Sequence, residues 1–327
     1  MAEESHSASN EYLYSSARSY FSNLIDYAGL FPPAQLPLEQ AIQNYAVYQT
    51  CKDAWMLGHF VIPVSRLAEL DPYVSLFTKK RPLCISAIGQ RSVDSKNCLE
   101  LLASDLELIR SFCNRHGEAV NVNVFELPLP PIHLTRQLLE GISKATTKNS
   151  LQVFCEVTVP FNETWKQQML LTLNEIAIHN HKSAAQLGLK LRTGGLTANA
   201  FPIPHQVATV HQACTERAIP QKFTAGLHHP IRMYREEVKT KMHGFLNVFT
   251  AGMLARTKKI DFETIIEILS DEAAEHFIFT DEGICWKNHL VTIKEIEQLR
   301  ETALYSFGSC SFDEPREELR ALQILLG

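Results

Sequence analysis

One stretch decides the fold: Leu187-Gly188-Leu189-Lys190-Leu191-Arg192-Thr193-Gly194-Gly195. Leucine recurs at every second position, and a two-residue period is typical of a β-strand with one apolar face. The opposite face carries Lys190 and Arg192. In a parallel barrel covered by helices, the leucine face packs against the helices, so we expect both cations to point into the barrel.

Other stretches share this pattern of apolar residues facing out and polar residues facing in. The inward polar residues are Asp26 on the first strand, Asn121 and Asn123 on the fourth, Glu156 on the fifth, and Lys222 and Thr224 on the seventh. On the fourth strand the valines take the outward parity, and so does Glu126 unless the strand bends there. Because a barrel interior normally fills with branched apolar side chains, this polar set indicates a functional site.

Strand-like and helix-like stretches alternate along the chain, which predicts an α/β protein with a (β/α)8 TIM barrel as its single domain. The predicted strands cover residues 24–30, 55–64, 83–88, 119–125, 151–159, 187–193, 221–225 and, as the eighth, 277–280, with a helix over 291–305. Residues 1–18 are polar and serine-rich, which predicts an extension ahead of the barrel, and residues 19–327 form the barrel with a helical C-terminal end.

Composition narrows the function. The 327 residues carry a net charge of −5, which gives no reason to expect nucleic acid or an anionic membrane as a partner. The 8 cysteines are scattered without a paired motif, and the first residues lack the blocks of a signal peptide, so we expect a cytoplasmic protein. The expected partner is a small molecule, and the chain is compatible with a homo-oligomer.

The turns after the two lysine strands are glycine-rich, at Gly194-Gly195 and at Gly226. Active sites of barrel enzymes are built at the carboxyl ends of the strands, so we expect these turns and Thr193 to contact substrate. Backbone N–H groups of such turns can bind an anion, although glycines there could also serve only to close the strand.

A second group of polar residues follows the seventh strand: His228, His229, His243 and Asn247. His243 and Asn247 are four residues apart, which on a helix places them on one face. We expect these side chains to be substrate ligands or an acid/base pair. Together with Glu156 the histidines could alternatively bind a divalent metal, but no compact metal motif is present, so no metal or other cofactor is assigned.

The two lysine strands resemble those of the 2-deoxyribose-5-phosphate aldolase family. That family reads Lys-Thr-Ser-Thr-Gly-Phe and Lys-Ala-Ser-Gly-Gly-Ile where this chain has Lys190-Leu191-Arg192-Thr193-Gly194-Gly195 and Lys222-Phe223-Thr224-Ala225-Gly226-Leu227. Ile25-Asp26 is similar to the family's opening Ile-Asp-His, and Phe154-Cys155-Glu156-Val157 is similar to its Ile-Leu-Glu-Thr strand. The similarity covers about 40 residues on the strands, a small part of the chain.

The resemblance implies that Lys190 attacks a substrate carbonyl and that the charge of Lys222 keeps Lys190 partly neutral. It also implies that Glu156 or Asp26 either moves protons or holds Lys222 in its charged form. At the position of the family's proton-relay aspartate on the fourth strand, this chain has Asn121, which cannot act as a base.

We therefore expect a lyase that makes or breaks a carbon–carbon bond through a Schiff base in a small, anionic, sugar-like carbonyl compound. Arg192 adds a permanent cation to the pocket, so a carboxylate is as compatible with it as a phosphate. Two other classes stay open: a metal-dependent barrel enzyme using Glu156 and His228, His229 or His243, and a non-catalytic barrel that binds a partner.

Overall fold

The structure is a computed structural model that describes residues 13–325. Eight parallel strands form a closed barrel, as the alternating sequence predicts. These strands are β1 (Ile25–Tyr27), β2 (Leu57–Pro63), β3 (Leu83–Ile88), β4 (Val120–Pro128), β5 (Gln152–Glu156), β6 (Leu187–Arg192), β7 (Gln221–Thr224) and β13 (Leu304–Ser309). The wall closes where β1 pairs with β13.

Helices cover the barrel. They are α1 (Ser15–Phe21), α2 (Leu38–Tyr48), α3 (Ser95–His116), α4 (Arg136–Thr147), α5 (Trp165–Lys182), α6 (Pro204–Glu216), α7 (Phe245–Thr257), α8 (Phe262–Ser270), α9 (Ile293–Thr302) and α10 (Asp313–Ala321). Of the predicted N-terminal extension, residues 1–12 lie outside the described residues, and Ser15–Phe21 form α1. Within residues 13–325, no helix has both the length and the apolarity to cross a membrane.

The eighth barrel strand lies elsewhere than the sequence predicts. Phe277–Phe279 (β10) is the first strand of an antiparallel three-stranded sheet with β11 (Gly283–Trp286) and β12 (His289–Thr292). The helix predicted over 291–305 is shorter, and the chain re-enters the barrel directly after it, as β13. An apolar triplet such as Phe277-Ile278-Phe279 suits either kind of sheet, since the pattern does not specify the strand's partner.

The three-stranded sheet also explains an unusual helix. The eleven residues from Phe245 to Ala255 in α7 are all buried, and a helix that is apolar all round must be enclosed. The inner side of α7 packs on the barrel, where the rings of Phe245 and Phe307 stack with centroids 5.1 Å apart. Its remaining sides contact α6, α8, α9 and β12.

A β-hairpin projects from the loop after β7. It consists of β8 (Met233–Arg235) and β9 (Thr240–Met242), which pair in antiparallel fashion. It places the segment from His228 to Gly244 at the carboxyl end of the barrel, the end at which barrel active sites are built.

Candidate functional site

The two lysines of the sequence pattern lie side by side inside the barrel. Lys190 and Lys222 are register partners on β6 and β7, and their side chains are 3% and 1% exposed. Lys190 Nζ lies 2.5 Å from Glu126 Oε2 and 2.7 Å from Glu156 Oε2. The predicted inward orientation of Lys190, Lys222 and Glu156 is confirmed.

Lys222 has its own set of partners. Its Nζ donates to Asp26 Oδ2, lies 2.9 Å from Ser306 Oγ and 3.4 Å from Glu126 Oε1. The Ser306 hydroxyl in turn donates to Asp26 Oδ2 over 2.7 Å. Glu126 therefore bridges both ammonium groups, and the inward orientation predicted for Asp26 is also confirmed.

Glu126 corrects the sequence prediction, which assigned it to the outward face. Ile85 of β3 pairs with Val122 of β4, but the next residue, Ser86, pairs with Val124, so Asn123 is an extra residue in the strand. A β-bulge of this kind reverses the parity of everything that follows. Glu126 thus points inward, where it also accepts a hydrogen bond of 2.7 Å from the Ser86 hydroxyl.

Two further irregularities contribute site partners. Leu57 of β2 pairs with Ile25 of β1, and Phe60 pairs with Tyr27, so β2 has one extra residue in this interval and forms a bulge. His59, in this bulge, contacts Asp26 Oδ1 through its backbone N–H at 2.6 Å and through its ring Nδ1 at 3.0 Å. A similar shift in β13, between Leu304 and Phe307, turns the consecutive residues Tyr305 and Ser306 inward.

A layer of aromatic rings underlies the charged groups. Phe154 lies two residues before Glu156 on the same strand face, and its ring centroid is 5.0 Å from that of Tyr305. These rings fill the amino-terminal part of the barrel interior, so the charged groups face only the carboxyl end.

The prediction that Lys222 keeps Lys190 partly neutral is wrong for this arrangement. Burial lowers the pKa of Lys190, but the adjacent carboxylates of Glu126 and Glu156 outweigh burial and raise the pKa above its ordinary value. The buried groups comprise three carboxylates and two ammonium groups, so attraction to anions exceeds the repulsion from Lys222. Lys190 is thus charged in this structure.

The carboxyl groups respond in the opposite sense. Burial raises the pKa of Glu126, of Glu156 and of Asp26, but the neighbouring cations outweigh burial and hold each pKa below its ordinary value. For Glu126 and Glu156 the main cation is Lys190, and for Asp26 it is Lys222. Lys190 and the three carboxylates are therefore ionised near neutral pH.

Arg192 reaches the solvent from this network. Its side chain is 43% exposed, and its Nη1 lies 3.4 Å from Glu156 Oε1. Because a partly exposed guanidinium retains free donors, Arg192 can bind a carboxylate or phosphate that enters from the carboxyl end.

The glycine turns are tightly interlocked. A Cβ atom on Gly194 would lie 2.8 Å from the Cα of Gly226, which itself has a φ of +74°. The Thr193 hydroxyl donates to the backbone oxygen of Ala225 over 2.5 Å, and a Cβ on Gly195 would lie 2.7 Å from that of Ala200. These contacts fix the two turns against each other, whereas the predicted substrate contacts of Thr193, Thr224 and the glycines stay predictions.

The residues of the second polar group lie in two different places. His243 Nε2 donates to the backbone oxygen of Pro202 over 2.7 Å, and the Asn247 amide donates to the backbone oxygens of Ile268 and Asp271. Burial, followed by the charge of Arg232, lowers the pKa of His243 to about 4, so its ring is neutral. His243 and Asn247 thus connect loops, and no hydrogen bond joins them to the lysine network in residues 13–325.

His228 and His229 face α10 instead. His228 Nδ1 lies 3.4 Å from Glu314 Oε2 and 3.8 Å from Cys310 Sγ, and His229 Nδ1 lies 2.6 Å from Glu318 Oε1.

The two asparagines of β4 that were predicted as substrate contacts lie away from both groups. Asn121 is exposed at the amino-terminal start of β4, the end of the barrel opposite to the expected substrate side, and Asn123 is the bulge residue.

A cavity of about 230 Å³ opens at the carboxyl ends of β4 and β5. Its wall includes Leu129 and Val157, the latter directly after Glu156. A larger cavity of about 600 Å³ lies between α4 and α5 at the amino-terminal end of β6. Neither cavity is lined by a residue of the lysine network, and the smaller one approaches it only at Val157.

No protein-family model matches the sequence, and no curated protein is significantly similar to it. Among solved structures, the fold is similar to a xylose isomerase domain protein from Alicyclobacillus acidocaldarius subsp. acidocaldarius, with a TM-score of 0.39 and 11% sequence identity. That similarity covers 85% of this chain and 95% of the other. The barrel itself rests on the strand order described above.

The sequence did not predict four residues of the network: Glu126, Ser86, Ser306 and His59. One signal could have revealed Glu126. It lies within the apolar run Val124-Phe125-Glu126-Leu127, where an outward carboxylate would be buried against helices without a partner. The serines and His59 carry no such signal.

Proposed function

We propose that the lysine–carboxylate network is the catalytic centre of a carbon–carbon lyase that works through a Schiff base on Lys190. The observation that supports this most is the position of Lys190 Nζ, within 2.7 Å of both Glu126 and Glu156 in the barrel interior. A charged lysine is not a nucleophile, but here a proton acceptor already touches the amine.

The proposed substrate is a β-hydroxy carbonyl compound. Glu126 takes a proton from the Lys190 ammonium, and the free amine adds to the carbonyl carbon to give a carbinolamine. Glu126 returns its proton to the leaving hydroxyl, and loss of water gives a protonated imine, whose nitrogen accepts the electron pair of the breaking carbon–carbon bond. Glu156 takes the proton of the β-hydroxyl, and the first product leaves as an aldehyde or ketone. Protonation of the resulting enamine and hydrolysis by water release the second carbonyl product and regenerate Lys190.

Other groups would orient this chemistry. Lys222, fixed by Asp26 and Ser306, contacts Glu126 Oε1, whereas Lys190 contacts Oε2. Arg192 is the partly exposed cation nearest to Glu156, and we assign it the anionic group of the substrate.

This arrangement supplies a candidate for the fourth-strand acid that the family resemblance implies. Asn121 could not serve as that acid. Glu126 on that strand meets both lysines. This supports a proton-relay role for Glu126, with Asp26 acting on Lys222 and not directly on substrate.

The metal-dependent alternative has less support. Glu156 pairs with Lys190 and Arg192. His228 and His229 pair with Glu314 and Glu318, and His243 with a backbone oxygen, so the four predicted ligands are dispersed. The non-catalytic alternative treats the network as purely structural. A buried ion network is often no more stabilising than apolar residues of the same size, which argues against that as its only purpose.

The test is reductive trapping. The full chain is incubated with sodium borohydride and either pyruvate, as a carboxylate probe, or glyceraldehyde 3-phosphate, as a phosphate probe. We expect a covalent adduct that peptide mass spectrometry locates on Lys190, and none in Lys190→Ala. The exposed lysine variant Lys96→Ala is the matched control and should trap normally. An adduct that persists in Lys190→Ala, or no adduct above that on surface lysines with either probe, would overturn the proposal.

A further inference from the structure

A group of potential metal ligands lies apart from the five charged residues of the lysine network. It consists of His229, in the loop after β7, and of Glu314 and Glu318 on α10. One ligand atom from each lies within 4.8 Å of the other two. Within residues 13–325 it is the one group of three such side chains that meets this distance, and it shares only His229 with the set predicted from sequence.

The geometry suits a small cation. Glu314 and Glu318 are four residues apart, so α10 presents both carboxylates on one face. His229 contributes a nearly buried ring whose Nδ1 is 2.6 Å from Glu318 Oε1. Ligand atoms bound to one ion at about 2.0–2.2 Å lie at most about 4.4 Å apart. This is close to the 4.8 Å within which all three atoms lie, and both glutamates are only half-buried.

The chemistry of the set indicates which ions fit. One imidazole nitrogen and two carboxylates are ligands typical of zinc and its first-row neighbours, whereas Mg²⁺ prefers oxygen alone. Three protein ligands leave a fourth position for water. The partial exposure of both glutamates, 39% and 34% of their side chains, gives an ion a route from solvent.

We propose that His229, Glu314 and Glu318 bind one divalent transition-metal ion at the carboxyl rim of the barrel. The ion links the loop that follows the seventh barrel strand to the helix that follows the eighth. Binding displaces the direct His229–Glu318 contact and draws Glu314 away from His228, so it reorganises the rim.

The test is zinc titration of the full chain after removal of bound metal with a chelator. Isothermal titration calorimetry should give one Zn²⁺ site, and thermal melting should show a higher Tm with Zn²⁺ than without. Glu318→Gln and Glu314→Gln should each weaken Zn²⁺ binding at least about tenfold, since even loss of residues behind a metal ligand costs that much. The matched control is Glu317→Gln, the exposed glutamate between them in sequence, which should bind Zn²⁺ like the parent.

Several results would overturn the proposal. One is a Zn²⁺ affinity that is unchanged in both Glu318→Gln and Glu314→Gln. Another is a loss of Zn²⁺ affinity in Glu317→Gln as large as in those two variants. A third is Mg²⁺ binding as tight as Zn²⁺ binding, which would exclude the nitrogen ligand. Circular dichroism of each variant separates loss of binding from loss of folding. Because borohydride trapping on Lys190 uses no metal, it should proceed in Glu318→Gln, so the two proposals succeed or fail independently.

Discussion

At the scale of single residues, Glu126 organises the centre. It is the carboxylate that touches both lysines, and it also accepts from Ser86. Sequence parity predicted the inward lysines, Glu156 and Asp26, because regular strands alternate. It missed Glu126 because parity holds only as far as the next bulge.

Replacing Glu126 should be severe. In Glu126→Gln two buried ammonium groups lose a shared carboxylate, and breaking a buried ion pair in this way costs about 3–5 kcal/mol. We expect urea unfolding to show a loss of this size. The control is Glu118→Gln, which removes only the exposed ion pair with Lys79 and should stay within about 0.5 kcal/mol of the parent. Equal stability of the two variants would contradict the bridging role of Glu126.

The protonation of Lys190 gives a second prediction at this scale. Burial and the raised pKa both oppose reaction of the free amine, so competitive acetylation should label Lys190 far more slowly than the exposed Lys96. The folded pKa of Lys190 lies above the ordinary 10.5, so the midpoint of its labelling against pH should also lie above 10.5. Faster labelling of Lys190 near neutral pH would mean that the carboxylates do not control its charge.

At the scale of elements, the bulges of β2, β4 and β13 determine which additional side chains enter the lysine network. Each turns a residue into the network that a regular strand would direct elsewhere: His59, Glu126 and Ser306. Bulges near active sites commonly re-aim side chains in this way.

The bulge of β2 can be tested through Gly58. A Cβ atom there would lie 2.2 Å from Asp26 Oδ1, so Gly58→Ala should displace Asp26 and destabilise the fold by about 1–3 kcal/mol, the usual cost of overpacking. The control is Gly308→Ala on β13, where the nearest atom, Thr224 Oγ1, is at an ordinary 3.4 Å. Thermal melts should separate the two variants, and a Gly58→Ala protein as stable as Gly308→Ala would refute this account of the bulge.

Elements also mark the limit of what sequence could predict about the fold. The first seven barrel strands follow from apolar alternation and from the helices between them. The eighth could not be identified, because β13 contains the bulge that puts Tyr305 and Ser306 on one face and so breaks the two-residue period. The apolar β10 fitted the expected pattern better, although its partners lie in another sheet.

At the scale of the whole molecule, the buried carboxylates link folding to pH. Burial raises the pKa of Glu156, but the charges of Lys190 and Arg192 lower it by more than burial raises it. The pKa of Glu156 in the folded protein is therefore below its ordinary 4.5. A lowered pKa contributes stability above the unfolded value, and that stability is lost as the pH falls through the folded pKa.

The same linkage predicts how a variant responds. Glu156→Gln should be less stable than the parent at pH 7, and the difference in unfolding free energy should shrink as the pH falls below 4.5. Urea unfolding at a series of pH values measures this. Glu118→Gln, at an exposed carboxylate, is the control and should stay within about 0.5 kcal/mol of the parent. A gap for Glu156→Gln that stays constant down to pH 3 would show that Glu156 titrates normally.

The seam between β1 and β13 joins the two ends of the described chain, since Ile25 pairs with Phe307 and Tyr27 with Ser309. During synthesis, Asp26 leaves the ribosome long before Ser306, which fixes it, because 280 positions separate the two residues in the sequence. A nascent chain that has not yet reached β13 therefore lacks the enclosed ionic centre, and the chemistry proposed for Lys190 can begin only once that strand has emerged.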